Sequence, residues 1–139
     1  MLKRAKAADG GCRRLGPLDV RTDTRALANA HILTAVAKRK PPRVAFADTH
    51  LLYCALRDPG FGDLLEPFYI LNDGVGVSLL ARLLYGRGFG ENLNGTDLTP
   101  QMLSCLPDGT RVFLVGARPE VIAEAAQAER LPFVDVNEP

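Results

Sequence analysis

Three short motifs place polar or glycine residues directly after apolar segments of strand type. The residues concerned are Asp48, Asn72, Asp73, Gly74, Gly116 and Arg118. A carboxylate beside glycines, as at Asp73, is able to take a proton from a substrate hydroxyl that approaches closely. The sequence therefore predicts Asp73 as a candidate general base. The alternative is that Asp73 simply begins the following helix, because Asp-Gly pairs are common in turns.

A second candidate motif is Gly116 to Pro119, which stands at the predicted start of a helix. Free backbone amides at a helix N-terminus bind anions such as a diphosphate, and Arg118 adds a positive charge. The segment matches neither a dinucleotide-binding glycine motif nor a P-loop. The alternative is a tight turn between a strand and a helix.

A further motif, residues 92–97, is separate from the three that follow strand segments, and it concentrates polar side chains around Leu93. Its candidates are Asn92, Asn94, Thr96 and Asp97. Carboxamides and hydroxyls suit sugar hydroxyls, and a carboxylate suits a ribose. The alternative is an Asx turn that leads into a helix predicted to begin at Thr99-Pro100.

Apolar segments of strand type alternate with longer segments of helical periodicity along most of the chain. The predicted strands cover residues 18–20, 43–47, 68–71, 111–115 and 133–136. The predicted helices cover about residues 22–40, 49–57, 59–65, 75–85, 99–106 and 119–130. This order predicts an α/β, Rossmann-like fold, in which helices flank a parallel sheet. Ligands of such sheets bind beyond the carboxyl ends of the strands, so we expect the candidate motifs to converge at one edge.

Composition limits the classes of function. The 139 residues carry a net charge of +1, but residues 1–43 hold eleven basic and three acidic residues. We expect residues 1–17 to be a basic flexible leader and residues 18–139 to form a single α/β domain. The apolar runs are too short to span a bilayer, and the three cysteines and two histidines show no metal-ligand spacing. With 6% aromatic residues and no stacking array, the sequence does not favour nucleic acid as a partner.

Four segments, residues 56–61, 71–77, 91–98 and 112–120, have the order and spacing of motifs in a known family. With the start at residues 15–20, the chain resembles the WecG/TagA/CpsF glycosyltransferases over about residues 15–131. The resemblance implies an inverting bacterial enzyme that moves an N-acetylmannosamine-type sugar or related hexose from a UDP-sugar to a lipid-linked acceptor. The product would belong to the cell envelope or to an exopolysaccharide.

The resemblance also implies residue roles. Asp73 would be the catalytic base, and neither a metal nor another cofactor is expected. The expected substrate-binding residues are Asp48, Asn72, Gly74, Asn92, Asn94, Thr96, Asp97, Gly116 and Arg118. Family members usually carry Thr and Asn where Phe46 and Asp48 stand, and many carry Arg where Asn92 stands.

The family's chains continue into further strands and a membrane-contacting tail, so we expect this chain to be C-terminally short. A copy of the chain would then complete the site in a homo-oligomer. We expect a cytoplasmic protein, peripheral at the inner face of the cytoplasmic membrane, with residues 1–43 as the lipid contact. The alternative is a member that has lost catalysis and binds a UDP-sugar or a partner protein.

Overall fold

A computed structural model describes residues 11–116 and 118–128, together with the backbone of residues 134–136. The chain consists of two compact units, and the boundary between them lies after Leu98. The elements up to that point are β1 (Cys12–Leu15), β2 (Leu18–Arg21), α1 (Arg25–Ala37), β3 (Val44–Ala47), α2 (Thr49–Arg57), α3 (Pro59–Leu65), β4 (Tyr69–Asn72) and α4 (Val75–Tyr85). Helix α5 (Gly95–Ser104) crosses the division, and β5 (Val112–Leu114), α6 (Pro119–Ala128) and β6 (Val134–Val136) follow it.

The first unit is built on a four-stranded sheet of order β1-β2-β4-β3. Strand β4 pairs in parallel with both β2 and β3, whereas β1 and β2 form an antiparallel hairpin. The register places Ala47 beside Asn72, so β3 and β4 end side by side. The predicted α/β class and its parallel strands are therefore confirmed.

Both faces of this sheet are covered by helices. Because side chains alternate along a strand, Ile70 and Leu71 point to opposite faces. Ile70 joins a core cluster with residues of α2, α3 and α4, for example Leu52, Leu65 and Val77. Leu71 joins a second cluster with Ala28, Leu93 and Leu98. This mostly parallel sheet is thus flanked on both sides, as the sequence predicts.

Local capping signals explain several helix starts. Thr24 caps α1 by accepting a hydrogen bond from the Leu27 amide, and Asp48 caps α2 in the same way. Asp58 caps α3, and Pro59 occupies the first helical position. The structure therefore confirms the predicted starts of α2 and α3.

The prediction of a flexible leader over residues 1–17 is wrong for Cys12–Leu15, which form β1. Residues 1–10 lie outside the described part of the chain. Leu15 is fully buried and pairs with Leu18 across a turn at Gly16, where φ is +57°. Burial of Leu15, together with hydrogen bonds to β2, orders a segment whose composition alone suggests a loose chain.

Two further expectations need correction. Helix α5 begins at Gly95 instead of Thr99, and Pro100 lies inside it. In the second unit, β5 pairs in parallel with β6, and these two strands form a separate sheet. The Gly116 segment therefore does not follow a strand of the sheet that carries Asp73. Of the predicted last strand, Phe133 lies outside the described residues.

Candidate active site

Asp73 directly follows β4 and is half-buried. Its amide donates to the Ala47 carbonyl oxygen at 2.9 Å, which fixes the backbone between two parallel strands. Its Oδ2 accepts a hydrogen bond from the Gly95 amide at 3.5 Å. Within the described residues, Oδ1 has no hydrogen-bond partner, so the carboxylate keeps an oxygen that is able to accept a proton.

Gly74 makes the turn from β4 into α4. Its φ of +90° and ψ of 169° belong to a region that residues with a Cβ rarely adopt. Its amide donates to Oδ1 of Asn92 at 2.8 Å. Helix α4 has no side-chain cap, so the amides of its first turn are able to donate to a ligand.

Asn72 fixes residues 91–94, here called the 91–94 loop. Its side chain is 1% exposed, and its Nδ2 donates to the Glu91 carbonyl oxygen at 2.8 Å. Its own carbonyl oxygen accepts a hydrogen bond from the Leu93 amide. Oδ1 of Asn72 is buried without a partner in the described structure. Asn72 therefore anchors the 91–94 loop, and its contact with substrate stays a prediction.

The 91–94 loop is also tied to the start of α1. The Arg25 amide donates to Oε2 of Glu91 at 2.9 Å, and the Arg25 guanidinium donates to the Asn92 carbonyl oxygen at 3.1 Å. Arg25 lies outside the motifs of the sequence, and Glu91, although it begins the segment 91–98, was not among the candidate site residues. Sequence reasoning had no signal for this contact, because the two residues are 66 positions apart.

Asn94 and Asp97 bond to each other at the start of α5. The Asp97 amide donates to Oδ1 of Asn94 at 2.8 Å, and Nδ2 of Asn94 donates to Oδ2 of Asp97 at 2.9 Å. Asn94 therefore acts as a helix cap, and the spacing of three residues was a signal that could have shown it. Thr96 lies exposed on the first turn of α5.

The end of β3 contributes Phe46 and Asp48. Oδ1 of Asp48 accepts from the Leu51 amide at 2.7 Å, so this carboxylate is used as the cap of α2. The Phe46 ring packs so closely on Gly95 that a Cβ at Gly95 would lie 3.0 Å from it. An aromatic ring therefore supports the residue that donates to Asp73.

Gly116 and Arg118 lie in the second unit. Gly116 has a φ of +101°, and the exposed Arg118 pairs with Glu120 at 3.3 Å. Ala117 is outside the described residues. The proposed contact of Gly116 and Arg118 with a nucleotide diphosphate stays a prediction.

Within the described ranges, no group of three or more His, Cys, Asp or Glu side chains is placed to hold a metal ion. None of the helices in the described part of the chain has the length and apolar character needed to cross a bilayer.

The first unit defines an α/β protein with a half-buried carboxylate and an ordered polar loop at the carboxyl end of a central parallel strand, where such folds bind ligands. The model of the glycosyl transferase WecG/TagA/CpsF family matches residues 15–136 of the chain. The chain therefore belongs to this family of glycosyltransferases. Searches among curated proteins and among solved structures find no significant match.

Proposed function

We propose that the protein transfers an N-acetylmannosamine-type sugar or a related hexose from a UDP-sugar to a lipid-linked acceptor. The product would serve bacterial cell-envelope or exopolysaccharide synthesis. The observation that carries this proposal is the Asp73 carboxylate, in a chain of a glycosyltransferase family. Its Oδ2 accepts from the Gly95 amide, and its Oδ1 has no hydrogen-bond partner among the described residues.

In the proposed reaction, Asp73 accepts the proton of the acceptor hydroxyl while that oxygen attacks the anomeric carbon. The new carbon–oxygen bond forms as the bond to the diphosphate breaks, and UDP leaves with the electron pair. Attack from the side opposite to UDP inverts the anomeric centre. We assign Asn92, Thr96 and the amides at the start of α4 to the sugar and the nucleotide. The contacts of Asn92 with Gly74, and of Gly95, the neighbour of Thr96, with Asp73 support this assignment.

The test compares the unmodified protein with Asp73→Asn and with Asp63→Asn, a control at an exposed carboxylate on α3. With candidate UDP-sugars and a lipid-linked acceptor, Asp73→Asn should lower UDP release by about 100- to 10,000-fold. Its affinity for UDP should stay within about threefold, because the charge acts on the acceptor proton. The Asp63→Asn variant should keep its activity.

The alternative is a member of the family that binds a UDP-sugar or a partner without catalysis. Two positions favour it, because Phe46 stands where the resemblance implies a Thr and Asn92 stands where many members carry an Arg. UDP binding without UDP release from any donor would establish this alternative. If UDP is released equally by the unmodified and Asp73→Asn proteins, the assignment of the base is wrong.

We also propose that the protein acts in the cytoplasm at the inner face of the membrane, and as a homo-oligomer. The exposed Lys38, Arg39 and Lys40 at the end of α1 support contact with anionic lipid. Sedimentation with phosphatidylglycerol vesicles at low and high salt tests the first point, and sedimentation velocity tests the second. A protein that stays in the supernatant at low salt would contradict membrane contact, and a monomer at all concentrations would contradict the oligomer.

A further inference from the structure

Helix α4 exposes a row of large apolar side chains, here called the α4 stripe. Val75, Leu79 and Leu83 are 83%, 55% and 72% exposed, and their spacing of four residues puts them on one side of the helix. The opposite side, with Val77 and Ala81, is buried in the core. A contiguous apolar surface of this kind indicates a binding site.

A groove follows the α4 stripe away from the candidate active site. It consists of two adjoining cavities of about 250 and 490 Å³, which share Val75, Ser78 and Phe89. The smaller cavity reaches Asn72 and Gly74, the residues on either side of Asp73. The larger cavity continues along α4, and the two together are called the α4 groove. A ligand in the α4 groove would therefore extend from the candidate base.

The far end of the α4 groove is positively charged. Among the described lining residues of the larger cavity, only Arg82 and Arg87 are charged. Both are exposed, and neither forms an ion pair with another described residue. Seven residues separate Val75 from Arg82, which at 1.5 Å per residue places the cation about 10 Å further along the helix.

Arg13 of β1 holds the wall opposite α4. Its Nη1 donates to the carbonyl oxygen of Arg87 at 2.9 Å and also to that of Gly88. Its guanidinium lies 5.2 Å from the centre of the Phe89 ring. Burial, and then the neighbouring charge of Arg87, lower the pKa of Arg13. Arg13 and Arg87 are therefore neighbouring cations. The acidic residue that lines the α4 groove, Glu91, lies in the smaller cavity and accepts from the Arg25 amide. The end of the groove with Arg82 and Arg87 therefore favours an anionic ligand.

We propose that the α4 groove binds the lipid phosphate part of the acceptor. Arg82 and Arg87 would bind the phosphate oxygens, and Leu79 would line the groove beside them. Leu83, which lies one position beyond Arg82 on the α4 stripe and outside the two cavities, would bind the hydrocarbon where it leaves the groove. This inference rests on the proposed transferase function. An amphiphile that is anionic next to its hydrocarbon matches a groove in which cations lie next to exposed leucines. The rise of about 10 Å along α4 from Val75, two residues after Asp73, to Arg82 leaves room for a sugar between the phosphate and the candidate base.

The probe is farnesyl diphosphate, measured by calorimetry on the full chain below the concentration at which the probe aggregates. Inorganic diphosphate and farnesol separate the contributions of charge and hydrocarbon. The variants are the pair Leu79→Ser with Leu83→Ser and the pair Arg82→Gln with Arg87→Gln. All four side chains are exposed, so the fold should tolerate the four substitutions. Leu64→Ser and Arg57→Gln, exposed on α3 and α2, are the controls.

We expect the unmodified protein to bind farnesyl diphosphate at least about tenfold more tightly than inorganic diphosphate. The leucine pair should remove this preference, because the exposed leucines supply the apolar contact. The arginine pair should weaken the binding of both farnesyl diphosphate and inorganic diphosphate by about tenfold or more, because hydrogen bonds to charged groups are lost. The controls should bind as the unmodified protein does.

Three results would overturn the proposal. The first is a leucine pair that binds farnesyl diphosphate as tightly as the unmodified protein does. The second is a leucine pair that dissociates an oligomer in sedimentation velocity but leaves binding unchanged, which would make the stripe an interface between copies. The third is a leucine pair that loses only its binding to anionic vesicles, which would make it a bilayer contact. Because the probe needs no turnover, UDP release tests the transferase function separately.

Discussion

Leu93 offers the sharpest test of how the core supports the candidate site. It lies within the 91–94 loop but is 0% exposed, and it packs with Ala28, Leu71 and Leu98. Leu93→Ala removes three buried carbon groups, which at about 0.8 kcal/mol each amounts to about 2.4 kcal/mol. The cavity left behind raises the expected loss in the free energy of unfolding to about 3–4 kcal/mol.

Leu98→Ala is the matched control, because Leu98 is also 0% exposed and belongs to the same cluster, but lies in α5. Urea unfolding followed by circular dichroism should give a similar loss of stability for both variants. With a slope of about 2 kcal/mol per molar urea, each midpoint should fall by about 1.5–2 M. Since the two leucines are in one cluster, the double variant should not show the sum of the single losses.

The two variants should differ in activity. Leu93 lies between Asn92, which accepts from the Gly74 amide, and Asn94, which caps α5. Movement of this loop by about 1 Å should lower UDP release by about 100-fold in Leu93→Ala, measured where both variants are folded. The Leu98→Ala variant should lose less than about threefold. A stability loss below about 1 kcal/mol for Leu93→Ala, or equal activity losses, would refute this reasoning.

Two further predictions concern stability. Burial of Asp23 opposes its ionisation, but hydrogen bonds from Arg21 and Tyr69 outweigh burial and lower the pKa of Asp23. Stability from this carboxylate is therefore present above about pH 4, the range of an unfolded Asp, and is lost as the pH falls further. In urea unfolding, the difference between the unmodified and Asp23→Asn proteins should shrink below about pH 4, and a constant difference would contradict this origin. Separately, Gly74→Ala should cost about 1–3 kcal/mol because of its φ of +90°, whereas Gly90→Ala should be nearly neutral; equal effects would show that the turn is not strained.

Local chemistry made much of the fold predictable. Asp48 and Asp58 begin helices because a carboxylate accepts from an amide three residues later, a relation within a few positions of the chain. The apolar strands β3 and β4 were predictable because a short run of apolar residues is also a local pattern. The start of α5 was predicted wrongly. Proline is common in the first turn of a helix, which favoured a start at Thr99-Pro100, but the hydrogen bonds between Asn94 and Asp97 begin the helix four residues earlier in the chain.

Long-range contacts were not predictable from one sequence. Strand β1 contains two arginines, and only burial of Leu15 and pairing with β2 make it a strand. The partner of β5 depends on the competition between strands, which periodicity does not report. Within the candidate site, Asp73, Asn72 and Gly74 were predicted from their residue types. The contact of Asp73 with the Gly95 amide was not predictable, because Gly95 has no side chain that would indicate it.

The bond between Arg13 and the carbonyls of Arg87 and Gly88 joins segments 74 and 75 positions apart. A shortened protein designed from composition would begin near Leu18 and discard Arg13 as part of a charged tail. Such a protein would keep every residue of α4 and of the candidate base, yet lose the side chain that holds the wall opposite α4. The amino-terminal hairpin thus supports one side of the α4 groove through its structure, although none of its residues has a recognisable catalytic pattern.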